Sequence, residues 1–280
     1  MTFYKNKIEF SQYDKSRMVK IPNIITEDLA YLCGVLAGDG NINFNNNKGD
    51  YHVSCIGNPK DEKEYYNEII VPLFKKMFNL DLKARYHDGN TTYGIRFGSK
   101  AISGFLVSKI GLPNGKKHNK LKIPNVFKNK KFINNFIQGL ADTDFGLCLK
   151  KKRKHGRPSY PVIAASFSTR KFIIELGELF NELGFSPVMD LDRKQLDIRF
   201  KKGHQRIYRF ELNGHKKLLR WIEIIGFRHP KMHKRINVWY KENKKKINKL
   251  LAERGFEFRS KNFIFTPTDL RVMGPTNTPN

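Results

Sequence analysis

Acidic residues are scarce in this chain: 26 Asp and Glu stand against 53 Lys and Arg in 280 residues, a formal charge of +27 at neutral pH. A surplus of that size excludes a polycationic partner and calls for a polyanionic one. Cysteine is scarcer still. Cys33, Cys55 and Cys148 are widely spaced and set among apolar neighbours, which excludes a disulfide framework or a cysteine zinc site and predicts three buried, reduced thiols. Long apolar runs are absent, because charged side chains interrupt every stretch before the ~20 residues needed to cross a bilayer, so no membrane partner is expected. The opening residues, Met-Thr-Phe-Tyr-Lys-Asn-Lys, offer no apolar core of a secretory signal, and the chain is expected to be intracellular and not secreted.

What is present is enough apolar material for packed cores: 39% hydrophobic and 12% aromatic residues. The basicity therefore belongs to a folded protein, of one or two domains by length. The chain also repeats itself. Lys20-Ile21-Pro22-Asn23 recurs as Lys122-Ile123-Pro124-Asn125, and each copy precedes a helical stretch that ends in Gly and Asp. In the first, Thr26 is placed as N-cap with Glu27 and Asp28 in the first turn. Gly34 matches Gly139 and Asp39 matches Asp144 at one common offset.

The sequel matches too. A hairpin is expected over residues 41–57 and again over 147–167, an amphipathic helix over 62–78 and 170–183, then further strands. Each half closes with a helix (103–110 and 216–225) and a basic loop, Gly111-Leu112-Pro113-Asn114-Gly115-Lys116-Lys117 in one and Gly226-Phe227-Arg228-His229-Pro230-Lys231 in the other. The pattern predicts an α+β duplicate with antiparallel sheets, divided into residues 1–125 and 126–280. Surplus residues over 187–212 predict an extra or longer strand, and the segment after Gly255 has no counterpart.

Strand alternation over residues 82–87 puts Lys83, Arg85 and His87 on one face and Leu82, Ala84 and Tyr86 on the other. Residues 196–201 repeat the device, with Leu196, Ile198 and Phe200 inward and Asp197, Arg199 and Lys201 outward. Each half thus offers a basic sheet face, and a two-stranded ribbon fits the major groove of duplex DNA. Lys48, Arg96, Lys150, Lys152, Arg153, Arg157 and Arg193 join the candidate DNA-binding residues. The run Lys150–Lys154 with Arg157 reads equally as a phosphate-gripping hairpin tip or a localisation signal.

Asp39 and Asp144 end their helices, where the macrodipole is negative and a carboxylate is disfavoured by ~0.3–1 kcal/mol. Gly34, Gly38, Gly139 and Thr143 are small residues at helical spacing that allow two backbones to approach. If these helices pack together, both carboxylates emerge side by side and suit a hard divalent cation on a phosphodiester. The alternative for each is a turn residue, as in Asp39-Gly40.

At these residues the chain resembles a known family. Leu32-Cys33-Gly34-Val35-Leu36-Ala37-Gly38-Asp39-Gly40 and Ile137-Gln138-Gly139-Leu140-Ala141-Asp142-Thr143-Asp144-Phe145 are similar to the two motif copies of monomeric LAGLIDADG homing endonucleases, with the likeness spanning about residues 20–240. The resemblance implies a pseudo-twofold αββαββα saddle, motif helices at the domain interface, and β-ribbons in the major groove of a long, partly asymmetric double-stranded site. It also implies hydrolysis of both strands with 3′ overhangs, using Mg²⁺, with Mn²⁺ substituting and Ca²⁺ supporting binding without cleavage. It assigns the metal to Asp39 and Asp144, with Gly38 and Thr143 beside them. One basic residue per half stabilises the transition state: Lys117, with Lys116 as the alternative, and Lys231, with Lys234 as the alternative. Asn58 and Ser168 are candidates to position the attacking water. Two departures stand out, Phe145 for the usual glycine and Ala37 at a position that often carries an acid.

His229 and His233 have a zinc-like spacing without a third ligand, and are read as surface histidines. The expected function is therefore a monomeric, site-specific, divalent-metal-dependent DNA endonuclease of an intracellular compartment that holds DNA. A non-cleaving regulator, or a maturase acting on intron RNA, needs the charge but not the aspartates.

Overall fold

The structure is a computed structural model that describes residues 8–151, 155–196 and 203–253, together with the backbone of two short strands at 256–259 and 264–267. A short helix α1 (Gln12–Ser16) precedes α2 (Glu27–Gly38), whose N-cap Thr26 accepts from the Leu29 amide at 3.1 Å. Every residue of α2 from Leu29 to Ala37 is buried, as befits a helix packed on all sides. It feeds directly into the hairpin β1 (Gly40–Asn45) and β2 (Asp50–Gly57). One helical stretch follows, built from α3 (Lys63–Tyr65), a π-helical turn Tyr66–Ile70, and α4 (Val71–Phe78). Then come β3 (Arg85–His87), β4 (Thr92–Gly98) and α5 (Lys100–Phe105), the last continued by a π-helical turn Leu106–Ile110.

The second half repeats this order. After a 3-10 turn at Asn125–Phe127, α6 (Lys130–Asp144) leads into β5 (Gly146–Lys151) and β6 (Pro158–Phe167), then α7 (Arg170–Glu182), β7 (Val188–Leu196), β8 (His204–Asn213) and α8 (His215–Ile224). A long helix α9 (Pro230–Ala252) and a backbone hairpin of β9 (Phe256–Arg259) with β10 (Ile264–Pro267) have no counterpart. Each half is αββαββα, and each sheet is antiparallel with matching order: β1-β2-β4-β3 and β5-β6-β8-β7. The surplus residues of the second half lengthen β7 and β8 relative to β3 and β4.

The covered sheet faces, with Ile42, Val53 and Phe97 in one half and Leu147, Ile163 and Leu212 in the other, join the helices in one hydrophobic core. Helices α2 and α6 pack against each other at its centre. Gly34 and Gly139 make that approach possible. A Cβ on Gly34 would stand 2.8 Å from the Leu140 amide and collide with the Phe136 carbonyl, and one on Gly139 would stand 2.9 Å from the Val35 amide and collide with the Tyr31 carbonyl. Reciprocal glycines thus set the distance between the halves. Among the described residues no helix is long and apolar enough to cross a membrane.

Three sequence expectations are corrected here. Leu196, expected inward, is 89% exposed at the end of edge strand β7, beyond the reach of the helices. Tyr86 does turn toward Tyr93 and the Lys63 ammonium, which lies 4.6 Å from its ring centroid, but remains 46% exposed because short β3 is also an edge. Cys148 is exposed while Cys33 and Cys55 are buried: it alternates with core residue Leu147 along β5 and so faces the other side of the sheet.

Candidate active site and nucleic-acid face

The close contact of α2 and α6 brings their carboxyl ends together. Asp39 is the C-cap of α2 and Asp144 the last residue of α6. Asp144 Oδ2 would lie 3.2 Å from a Cβ placed on Gly38, whose missing side chain also makes room for the Thr143 hydroxyl. Gly40 and Gly146 begin β1 and β5, and each of those is an edge strand of its sheet. The two acids therefore sit at the junction between the sheets.

Their electrostatics are strained in the same direction. Burial, then repulsion from Asp144 and Glu62, raises the Asp39 pKa to about 7, with Lys117 opposing. Burial raises Asp144 to about 6, again opposed by Lys117. Lys117 is half-buried and its ammonium donates to the Gly38 carbonyl, at the negative end of α2. Burial holds its own pKa below the usual lysine value while both aspartates pull it up. Its loop bridges the halves: the Asn119 amide donates to Thr169 Oγ1 at 3.2 Å, and His118 Nδ1 lies 3.3 Å from Ser168 Oγ. Lys116, the alternative, is exposed.

The lysine expected to mirror Lys117 is placed elsewhere. Lys231 pairs with Asp61 at 2.8 Å and Lys234 with Glu64 at 3.4 Å, both on the first half's loop and helix after β2. Asn58 is exposed. Its amide donates to Glu62 Oε2 at 2.8 Å, and its side chain accepts from the Lys60 amide at 2.9 Å. Glu62, an acid that the sequence reading passed over, is folded back against Gly57 at the end of β2, and burial raises its pKa. Thr143 Oγ1 donates to the Leu140 carbonyl at 3.0 Å.

A second buried cluster, also missed from sequence, ties the halves together behind the acids. Asp142 Oδ2 accepts from Tyr31 Oη at 2.6 Å and from the Arg228 amide at 2.9 Å, and burial lifts its pKa to about 7. The Arg228 guanidinium reaches Asp28 at 2.9 Å and Gln138 at 3.0 Å, and lies 4.1 Å from the Tyr31 ring centroid. The Tyr31 hydroxyl also meets Tyr65 at 2.9 Å, and Tyr65 stacks on His229 with ring centroids 4.3 Å apart. His229 is 2% exposed, which corrects the reading of a surface histidine. Burial lowers its pKa to about 4, and its Nδ1 accepts from the Lys231 amide at 3.0 Å as the N-cap of α9. His233 Nε2 lies 2.6 Å from the Phe227 carbonyl oxygen.

The open face of the first sheet follows from its register. Asn41, Ser54 and Arg96 lie across from one another, and Arg85 pairs with Gly94 two residues before Arg96. Lys48 in the β1–β2 turn, Lys83, Arg85 and Arg96 are exposed, whereas His87, expected outward, is half-buried with Nε2 3.3 Å from the Gly94 carbonyl. Arg96 also pairs with Asp88 at 3.4 Å. The second open face is less uniformly basic than expected. Lys150 and Arg209 pair with Glu211 at 3.1 and 2.7 Å, and Arg193 lies 3.8 Å from Asp190. Arg157 is exposed and 3.4 Å from Glu242. Lys152, Arg153, Arg199 and Lys201, with Asp197, Ile198 and Phe200, lie outside the described residues.

Two half-buried carboxylates sharing one lysine, with the Gly38 carbonyl and Thr143 hydroxyl beside them, form an oxygen-only donor set with unbalanced negative charge. That set fits a hard divalent cation that completes its shell with water and phosphate oxygens. Among the described residues no group of three or more His, Cys, Asp or Glu side chains has metal-holding geometry.

No protein-family model and no curated protein matches the chain. Several solved structures resemble it at low identity. I-DmoI in complex with DNA and Ca is 17% identical over 71% of this chain and 88% of that one, with a TM-score of 0.49. I-SmaMI bound to uncleaved DNA target with calcium ions is 12% identical over 80% and 94%, with a TM-score of 0.47. I-LtrWI, a LAGLIDADG homing endonuclease bound to target DNA, is 13% identical over 81% and 95%, with a TM-score of 0.45. The family named for I-LtrWI is the one that the two motif segments resemble.

Proposed function

We propose that this protein is a site-specific DNA endonuclease that cuts both strands of a long, partly asymmetric duplex site and acts as a monomer, residues 1–125 and 126–280 supplying one half-site each. The observation that carries the reading is the meeting of Asp39 and Asp144, one from each repeat, at the junction of two sheets in a chain of charge +27. DNA phosphates meet the surplus charge, and the open sheet faces read base edges.

Asp39 and Asp144, with the Gly38 carbonyl and Thr143, would hold Mg²⁺, with Mn²⁺ as a substitute and Ca²⁺ supporting binding alone. When bound, the cation supplies positive charge that stabilises the pentavalent phosphate and activates water for attack. The chain's own residues do the rest. The helix packing fixes both carboxylates before DNA arrives, so little reorganisation accompanies the reaction. Lys117, aimed at the same point, offsets the charge that develops on the phosphate. Lys231 in the second half, and Asn58 and Ser168 as water-positioning groups, are secondary candidates. Glu62 is nearer Asp39 in electrostatic effect than either polar candidate is shown to be. Cleavage across the minor groove leaves 3′ overhangs.

The test is selection of cut sites from a randomised duplex library with Mg²⁺ and with EDTA. Enrichment of one extended sequence with cohesive ends, only in Mg²⁺, supports the reading. Enrichment by binding without any cut ends would favour a non-cleaving regulator. Selective retention of structured RNA would favour a maturase.

A further inference from the structure

Helix α9 lies outside the duplicated pattern and is strongly basic. Among the described residues, Lys241, Lys244, Lys245, Lys246 and Lys249 are exposed and have no ion-pair partner, whereas Lys231 and Lys234, earlier in the helix, are paired with acids of the first half. The buried side of α9 is fixed by Met232, Ile236, Trp239, Ile247 and Leu251, and Trp239 donates to His215 Nδ1 at 3.0 Å. Residues spaced by four share a helix side. Lys241, Lys245 and Lys249 therefore form one stripe on the outward side.

That stripe is not remote from the proposed DNA face. Asn243 Nδ2 donates to the Ser159 carbonyl at 3.0 Å, and Glu242 pairs with Arg157 at 3.4 Å. Both partners belong to the end of the β5–β6 hairpin, where Lys151 pairs with Pro158. Near the N-terminal end of α9, Arg235 donates to the Leu147 carbonyl at 2.8 Å, on edge strand β5. The helix thus runs beside the hairpin and carries its positive charge beyond the level of the Lys151–Pro158 pair. From Lys241 to Lys249 the axis rises about 12 Å at ~1.5 Å per residue, enough to face about three or four phosphates of one strand at ~3.4 Å axial spacing.

We propose that the outward stripe of α9 is a second contact for duplex DNA, gripping the phosphate backbone that flanks the segment read by the sheets. The inference rests on the endonuclease reading, because it takes the duplex to lie along the β5–β6 hairpin. Its chemistry is sequence-independent, since ammonium groups without planar donors engage phosphate as point charges.

The experiment compares the full chain with the K241Q/K245Q/K249Q variant in Ca²⁺, by fluorescence anisotropy over a KCl titration. The probes are an arbitrary duplex of about 60 base pairs, one of about 14, and an RNA hairpin. On the long duplex the slope of log affinity against log salt should fall by about two to three in the variant, since each of three phosphate contacts contributes ~0.9. On the short duplex, which spans only one of the two surfaces, affinity should stay within about twofold, and the K241R/K245R/K249R variant should restore the long-duplex slope. An unchanged slope on the long duplex, an equal loss on both duplexes, or a loss confined to the RNA hairpin would overturn the inference. Failure of the parent protein itself to bind either duplex would count against the endonuclease reading, a result distinct from an intact parent and a silent variant.

Discussion

Gly38 of one repeat and Asp144 of the other occupy adjoining space: a Cβ on Gly38 would lie 3.2 Å from Asp144 Oδ2. The motif glycines and the acids are thus parts of one arrangement, in which small residues let the helices close and the closed helices aim the carboxylates.

Gly34→Ala should therefore destabilise the fold by about 2–3 kcal/mol, because the new methyl meets a main-chain carbonyl that cannot rotate away. Gly146→Ala is the control. Its Cβ would find Cys148 Sγ at 3.7 Å, an ordinary contact, and its cost should stay below about 1 kcal/mol. Urea unfolding measures both, and equal effects would contradict the packing argument.

Stability should also depend on pH through the two acids. Their folded pKa values, about 7 for Asp39 and about 6 for Asp144, lie above the ordinary 3.8. Over that window the folded state holds protons that the unfolded state releases, so stability falls as pH rises from about 4 to 7. Asp144→Asn should be more stable than the parent at pH 8 in EDTA, by on the order of 3 kcal/mol at ~1.4 kcal/mol per unit, and the difference should vanish near pH 4. Thermal melts at the two pH values decide it. A destabilised Asp144→Asn at pH 8 would show that the carboxylate is satisfied within the protein.

Lys117→Gln should lower cleavage by about 10²-fold or more, the loss seen when a group that stabilises a developing oxyanion is removed. Duplex affinity in Ca²⁺ should change by less than about threefold. Lys231→Gln should cost less, because Lys231 is engaged with Asp61. Equal losses for the two variants in single-turnover assays would refute the asymmetry.

Arg228→Gln should cost about 1–2 kcal/mol, since it removes the guanidinium's hydrogen bonds to Asp28 and Gln138 and its contact with the Tyr31 ring while Lys76 still pairs with Asp28. Chemical denaturation of the variant, with Lys76→Gln as the exposed comparison at the same Asp28, measures it. Equal costs would place the Arg228 contact among weak surface pairs.

How much of this was legible beforehand follows from the kind of signal each feature leaves. Thr26, Gly34, Gly139, Asp39 and Asp144 stand in the sequence because a duplication prints the same local requirement twice. The Asp142–Tyr31–Arg228 cluster left no such trace: Tyr31 and Arg228 come from segments far apart in sequence, and Ala37 occupies the matching place in the first repeat. Alternation gave the parity of Tyr86 and Leu196 but not their exposure, because edge position depends on strand order. His229 looked like a surface residue beside lysines until α9 and Tyr65 closed over it. Lys231 was assigned by symmetry, and the structure gives its charge to Asp61 instead.

The most direct measurement of the central claim uses a supercoiled plasmid carrying the selected site, incubated with Mg²⁺ and either the parent, Asp39→Asn or Asp144→Asn. The account predicts linear product from the parent alone, and Ca²⁺-supported binding of the same site by all three proteins within about threefold. Linear product from either variant at the parent's rate would contradict a shared cleavage centre built on these two acids.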